Sequence, residues 1–195
     1  NREQLVDLFA RNHGALGLRP LVIGVDMDRN VKDTTRPSID ISGLTLGARD
    51  FYLEPAYAPV RKLQLAHMGR LLQVAGFDDP EARARRAQDM EVKIARITWT
   101  SAEQRDDLKK NNVISVAELS KQAPGLDWPK YLATAGVGAP EKVILLTPSS
   151  VKAMVELVNK EPIEAWQDYM RYVAVAGTSP YLPKAARDEM FEFLG

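Results

Sequence analysis

His13 and His67 are the only imidazoles in the sequence, and cysteine is absent. A zinc hydrolase site needs neutral imidazoles and carboxylates converging at short range, typically as His-Glu-x-x-His on one helix face. Neither histidine has a second ligand three or four residues away. His67 lies among apolar neighbours and reads as a hydrogen-bonded core histidine. His13 falls at the end of a helical pattern, where a cation suits the helix dipole. Without cysteine there is no disulfide scaffold, no thiolate-bound zinc and no cysteine nucleophile. Asp26-x-Asp28-x-Asn30 begins like a calcium loop, but Val31 stands where that loop needs glycine and Pro37 where it needs a bidentate glutamate. These residues read as solvated turn residues beside a strand.

The remaining polar constellations are equally plain. Gly43-Leu44-Thr45-Leu46-Gly47 has two glycines but neither a G-x-G-x-x-G nor a G-K-[ST] pattern, so no phosphate cradle is implied. Ser149-Ser150 follows Thr147-Pro148 at a helix start, where hydroxyls cap backbone N–H groups. No histidine is placed to activate either serine. Asp78-Asp79 and Asp106-Asp107 read as solvated carboxylates in first helical turns. Arg83, Arg85 and Arg86 share a helix with Glu81, Asp89 and Glu91, which is a mixed wet face. The residue types therefore assign no catalytic, cofactor-binding or metal-ligating residue to this chain, and no cofactor of its own.

The elements that would position any such group are mainly helical. Residues 1–12 carry Leu5, Leu8 and Phe9 on one helical side, closed by His13-Gly14. Residues 21–25 and 39–41 form an antiparallel pair of strands joined by a polar connection over 28–37. Tyr57 to Ala75 is a helix with apolar residues on two faces: Leu65, Met68, Leu72 and Ala75 on one, and Val60, Leu63, His67, Leu71 and Val74 on the other. That width predicts burial against more than one neighbour. Gly76 ends this helix. Asp79-Pro80 caps and opens the next, which runs to about Trp99 with Ala87, Met90, Ile94 and Ile97 as its core stripe. The stretch from Ser101 to Lys110 is polar. Short helices follow over 116–121 and 129–135, then a short buried strand over 143–146. Thr147-Pro148 opens a helix carrying Val151, Met154, Val155 and Val158. Pro162 opens another with Ile163, Trp166, Met170 and Val173, stopped by Gly177 to Pro180. A last helix spans 183–194.

The 195 residues bound the answer to one domain, two at most, large enough to bury a core without staples. Lysine and arginine total 26 against 26 aspartate and glutamate, which argues against a nucleic-acid partner. No apolar run approaches the roughly 20 residues that cross a bilayer, so no transmembrane segment is expected. The sequence starts at Asn1 inside a helical pattern, without Met or signal peptide, which suggests an internal piece of a longer protein. Its localisation cannot be read from these residues, and for a longer parent protein a periplasmic, secreted or membrane-anchored place stays open. The fold class is mainly α: a multi-helix lobe with a small antiparallel β-hairpin near residues 21–42, and 1–195 as a single helical domain.

One stretch adds to this. Val25-Asp26-Met27-Asp28 leads through the polar connection into Ile39-Asp40-Ile41-Ser42. Gly43-Leu44-Thr45-Leu46-Gly47-Ala48-Arg49-Asp50-Phe51-Tyr52 then resembles the Gly-Leu-x-Leu-Pro-x-Arg-Asp-Tyr-Tyr segment of the neprilysin-like zinc endopeptidases. Gly47 stands where that pattern usually has Pro, and Phe51 where it usually has Tyr. Similar segments follow in the same order: 72–76; 91–95 with 99–106; 124–132; 147–151; 162–170; and Phe191-Glu192-Phe193-Leu194-Gly195. Residues 109–113 match the family's Tyr-Asn-x-Met segment only loosely. The collinear order covers nearly the whole chain.

The resemblance implies most of the N-terminal, non-catalytic helical lobe of such a peptidase, which roofs a central cavity and limits substrates to short peptides. It places the His-Glu-x-x-His helix, the third zinc ligand and the Asn-Ala-x-Tyr strand beyond Gly195, and the arginine–aspartate substrate element before Asn1. Zinc, which activates water in these enzymes with a glutamate as base, would belong to the parent enzyme. The partners implied are the catalytic lobe of the same polypeptide and a peptide substrate. The lack of cysteine fits a bacterial member. Arg49-Asp50 and Arg105-Asp106 are read as ion pairs or caps that fix turns, with cavity-lining charges as the other reading. Two alternatives stay open: a free-standing helical module that binds protein or peptide without catalysis, and a nicked enzyme whose pieces remain associated.

Overall fold

The computed structural model describes residues 1–11 and 20–194. The expected His13-Gly14 helix stop lies outside them. Ten α-helices and four strands form among the described residues, so the chain is mainly α with a small sheet. It divides into two compact units, one of residues 1–11, 20–42 and 97–161, the other of residues 43–96 and 162–194.

The first unit is built around a mixed sheet of β1 (Leu21–Met27), β2 (Thr35–Ile41), β3 (Asn112–Ser115) and β4 (Lys142–Leu145), in the order β1-β2-β4-β3. The expected hairpin is present, with Leu21 opposite Ile41 and Met27 opposite Thr35. Its connection is shorter than the 28–37 read from sequence, because Pro37 lies inside β2 opposite Val25. The Ser42 N–H bonds to the Pro20 carbonyl and the Asp28 N–H to the Thr34 carbonyl. This phase directs odd-numbered β2 amides away from β1. Pro37 therefore costs no bond to β1, and β4 pairs with β2 only at Ser38 and Ile39. β4 is the expected buried strand and runs parallel to β2. β3, antiparallel to β4, is an addition that four residues of sequence could not signal.

Helices α1 (Arg2–Arg11), α5 (Ser101–Gln104), α6 (Val116–Gln122), α7 (Trp128–Thr134) and α8 (Pro148–Lys160) complete this unit. The polar stretch after Trp99 folds because Thr100 and Glu103 form a capping box. Arg2 reaches the carbonyls of Val158 and Glu161, which ties α1 to the end of α8. The hydroxyls at the start of α8 do not cap it, contrary to the sequence reading. Thr147 donates to Asp40, Ser150 donates to the Ile97 carbonyl, and Ser149 accepts from the Trp99 indole at 2.7 Å. Pro148 occupies the first turn, where a missing N–H removes one orphan donor.

The second unit contains α2 (Asp50–Leu53), α3 (Ala58–Val74), α4 (Pro80–Ile97), α9 (Ile163–Thr178) and α10 (Lys184–Leu194). α3 differs from expectation in which residues it buries. Leu63 is 66% and Val74 44% exposed, while Gln64 and His67 are fully buried beside Met68, Leu71 and Leu72. Polar partners on other helices decide this, since a buried amide or imidazole is tolerated once hydrogen-bonded. α4 buries the expected Ala87, Met90 and Ile94, and Ala84, Glu91 and Ala95 with them. Ile97 is only half-buried. Asp79 precedes α4 with φ 46°, in the left-handed region rather than the extended backbone of an ordinary N-cap.

Candidate functional site

In the second unit, the segment from Gly43 to Leu53 is held by one carboxylate. Glu91, on α4, is fully buried. Its oxygens accept from Tyr52 Oη at 2.7 Å, Thr45 Oγ1 at 2.8 Å and Gln64 Nε2 at 2.6 Å. The Tyr52 oxygen itself accepts the Leu46 N–H at 2.9 Å, which leaves its proton for Glu91. Gln88 donates to Gln64 Oε1 and to the Arg61 carbonyl, which orients the Gln64 amide. Gly43 has φ 130°, and a Cβ there would lie 2.6 Å from Tyr169 Oη, which donates to the Gly43 carbonyl. Thr45, Tyr52 and Gly43 in the Gly-Leu-Thr-Leu motif are thus anchors. Gly47 has φ 86°, which proline cannot adopt, so this turn follows a different path from one carrying Pro.

Sequence reading placed Glu91 on a wet face. The structure corrects this, and the signal lay in its position beside Met90 and Ile94 on the core stripe. The same correction applies to Arg83 and Arg86. With Arg171 they bind Asp168, a fully buried carboxylate on α9, at 2.6, 2.6 and 2.9 Å. Burial pushes Asp168 up, but the three guanidiniums together hold it below the usual range. Burial raises Glu91 to about 7, against the pull of its hydrogen bonds, and among the described residues no cation offsets it.

His67 is a core histidine, as expected. Its Nδ1 lies 2.8 Å from Glu189 Oε1, and its ring stacks on Phe193 at 4.1 Å. Arg70 holds the other Glu189 oxygen at 2.8 Å. Burial lowers the His67 pKa against the pull of Glu189, so Nδ1–H is the donor in the neutral ring. His13 lies outside the described residues. Asp28 is buried rather than solvated: it pairs with Arg36 at 2.6 Å and accepts the Asn30 N–H at 2.9 Å, closing the β1–β2 turn. Asp78 pairs with Arg83 while staying exposed. Asp106 accepts the Leu108 N–H and pairs with Lys109, and Asp107 pairs with Arg29. Arg49 lies 3.9 Å from Asp50 and donates to the Ala95 carbonyl, a turn-fixing role.

Each unit also has an open groove. One of about 360 Å³ lies between α1 and α7, lined by Val6, Asp7, Lys130 and Tyr131. Another of about 760 Å³ lies between α3 and the start of α4, lined by Lys62, Leu65, Gly69, Arg70 and Arg85. Among the described residues no group of three His, Asp or Glu side chains is placed to hold a metal. No helix of the described residues is long and apolar enough to cross a membrane.

The N-terminal model of peptidase family M13 matches residues 1–195, and the chain belongs to this family. It is the N-terminal region of a neprilysin-like family member. The chain is 26% identical over 191 residues to endothelin-converting enzyme-like 1 of Rattus norvegicus, covering 92% of this chain and 24% of that protein. It is 26% identical over 178 residues to endothelin-converting enzyme 1 of Homo sapiens, covering 87% and 23%. The zinc metalloprotease Zmp1 of Mycobacterium tuberculosis, in its open state, has the same fold with TM-score 0.92, at 22% identity, over 100% of this chain and 31% of that one. PepO of Lactobacillus rhamnosis HN001 matches with TM-score 0.76 at 17% identity, over 98% and 30%. The chain therefore spans about a quarter of the length of the curated relatives it matches. Among the described residues His67 is the only histidine, and no further ligating side chains converge with it to make a group that could hold zinc.

Proposed function

We propose that residues 1–195 are part of the non-catalytic lobe of a zinc-dependent endopeptidase, a wall that limits substrates by size. The supporting observation is the match of the family's N-terminal model along the whole chain. In this reading zinc and the reacting groups belong to a catalytic lobe of the same polypeptide, and the substrate is a peptide. The buried anchors at Glu91 and Asp168 suit such a wall, because they fix helices without offering a nucleophile or an open ligand position.

The test is the intact mass and zinc content of the protein as its host makes it. We expect a mass larger by several hundred residues, with about one zinc per chain as in single-metal peptidases. A mass of 21.7 kDa without metal would overturn the reading and leave a free-standing binding module.

A further inference from the structure

Residues 101–111, in the first unit, contribute nothing to its core. None of them is buried, and Leu108 is 87% exposed. α5 is a single turn kept by the Thr100–Glu103 capping box, and residues 105–111 lie outside helix and strand. Their bonds are mostly short-range. The Lys109 N–H reaches the Asp106 carbonyl at 3.1 Å, the Lys110 N–H the Asp107 carbonyl at 3.3 Å, and Asn112 Nδ2 the Lys109 carbonyl. Two exposed ties lead to the β1–β2 turn, Arg29 with Asp107 and the Arg29 N–H with Asn111 Oδ1 at 3.4 Å. A segment held this way opens without disturbing a core. Opened, it offers Lys109-Lys110-Asn111 as extended chain.

We propose that this turn is a nicking site for endopeptidases that read a basic side chain, cut after Lys109 or Lys110, and that the cut chain stays assembled. Water adds across the peptide bond, leaving a carboxylate on the lysine and an ammonium on the residue after it. Charge and position single out these bonds. The other basic residues outside helix and strand, among those described, are Arg29, Lys32, Arg49 and Arg105. Aspartate follows the last three, and an acidic pocket that reads lysine or arginine disfavours an acid beside the scissile bond. Arg29 sits in a turn that the buried Asp28 closes through Arg36 and Asn30. Assembly survives because each unit contains residues from both sides of the cut. In the first unit, β4 pairs with β2 at Ser38 and Ile39, Arg2 reaches the Val158 and Glu161 carbonyls, and Ser150 donates to the Ile97 carbonyl. In the second, Asp168 on α9 joins Arg83 and Arg86 on α4, and Glu189 on α10 joins His67 and Arg70 on α3. The nick breaks none of these bonds. It does not depend on the peptidase reading.

Limited digestion of the intact protein with trypsin tests this, read by mass and by gel filtration with and without denaturant. Of the 26 lysines and arginines in residues 1–195, Lys109 or Lys110 should be cut first, about tenfold faster than the rest. The pieces should co-elute in native buffer and separate in denaturant. An earlier cut elsewhere in residues 1–195, or pieces that part in native buffer, would overturn the proposal. Replacing both lysines, Lys109→Gln with Lys110→Gln, should abolish the early cut and leave the melting midpoint unmoved. An unchanged rate of cutting between residues 105 and 112 in that variant counts equally against it.

Discussion

Asp168 and Glu91 are both carboxylates without exposed surface, and their neighbours drive them in opposite directions. Asp168 faces Arg83, Arg86 and Arg171, and its pKa is held low. Its stabilising contribution is present above the unfolded value near 3.8 and is lost as pH falls through the lower folded value. Glu91 has the reverse sign. Unfolded, it ionises near 4.5; folded, near 7. Stability from this group is whole below 4.5 and is lost as pH rises to about 7, by roughly 3 kcal/mol at about 1.4 kcal/mol per unit. Urea unfolding of Glu91→Gln at pH 5 and pH 7.5 should show much less loss between the two than the wild type. Asp168→Asn should cost about 3–5 kcal/mol at neutral pH, because it leaves three guanidiniums around an uncharged amide. A cost under about 1 kcal/mol would show that the arginines find other partners on the surface.

At the level of the element, the 43–53 segment depends on a close approach that only glycine allows. Gly43→Ala places a methyl 2.6 Å from Tyr169 Oη at φ 130°, and about 2 kcal/mol of lost stability is expected in thermal or urea unfolding. An unchanged midpoint would mean that Tyr169 and the backbone shift freely. α10 is tied to α3 by one carboxylate, Glu189, as well as by the stacking of Phe193 on His67. Glu189→Ala removes the bonds to His67 and Arg70, and hydrogen exchange over 184–194 should accelerate at least tenfold while the 21–41 hairpin stays protected. The helices and their stops were legible because Pro80, Pro148, Gly76 and the apolar stripes act locally. The β1–β2 pair was legible from alternation. β3 was not, since its four residues gain strand character only from pairing with β4. Glu91, Asp168 and Gln64 escaped because, Arg171 beside Asp168 apart, their partners lie 12 to 85 residues away in sequence. An acidic residue on an apolar stripe is the one local hint that such a partner exists.

For the whole molecule, family membership was legible in collinear motifs, and the structure explains several of their letters as anchors. Thr45 and Tyr52 serve Glu91, Gly43 admits Tyr169, and Trp99 meets Ser149 at the start of α8. None of these roles requires metal. The peptidase reading therefore separates cleanly from the packing of this region, and the two respond to different treatments. In the proposed peptidase, a chelator that strips zinc from the whole protein should abolish peptide hydrolysis while leaving the thermal unfolding of this region unchanged. The 195-residue chain alone should respond to zinc in neither way. A site occupied at about one hundred times its Kd would add roughly 2.7 kcal/mol and raise the melting midpoint by several degrees. An unmoved midpoint in excess zinc is expected, since the described residues bring no three ligating side chains together. A rise of several degrees would place a metal site inside this region and transfer part of the chemistry to it.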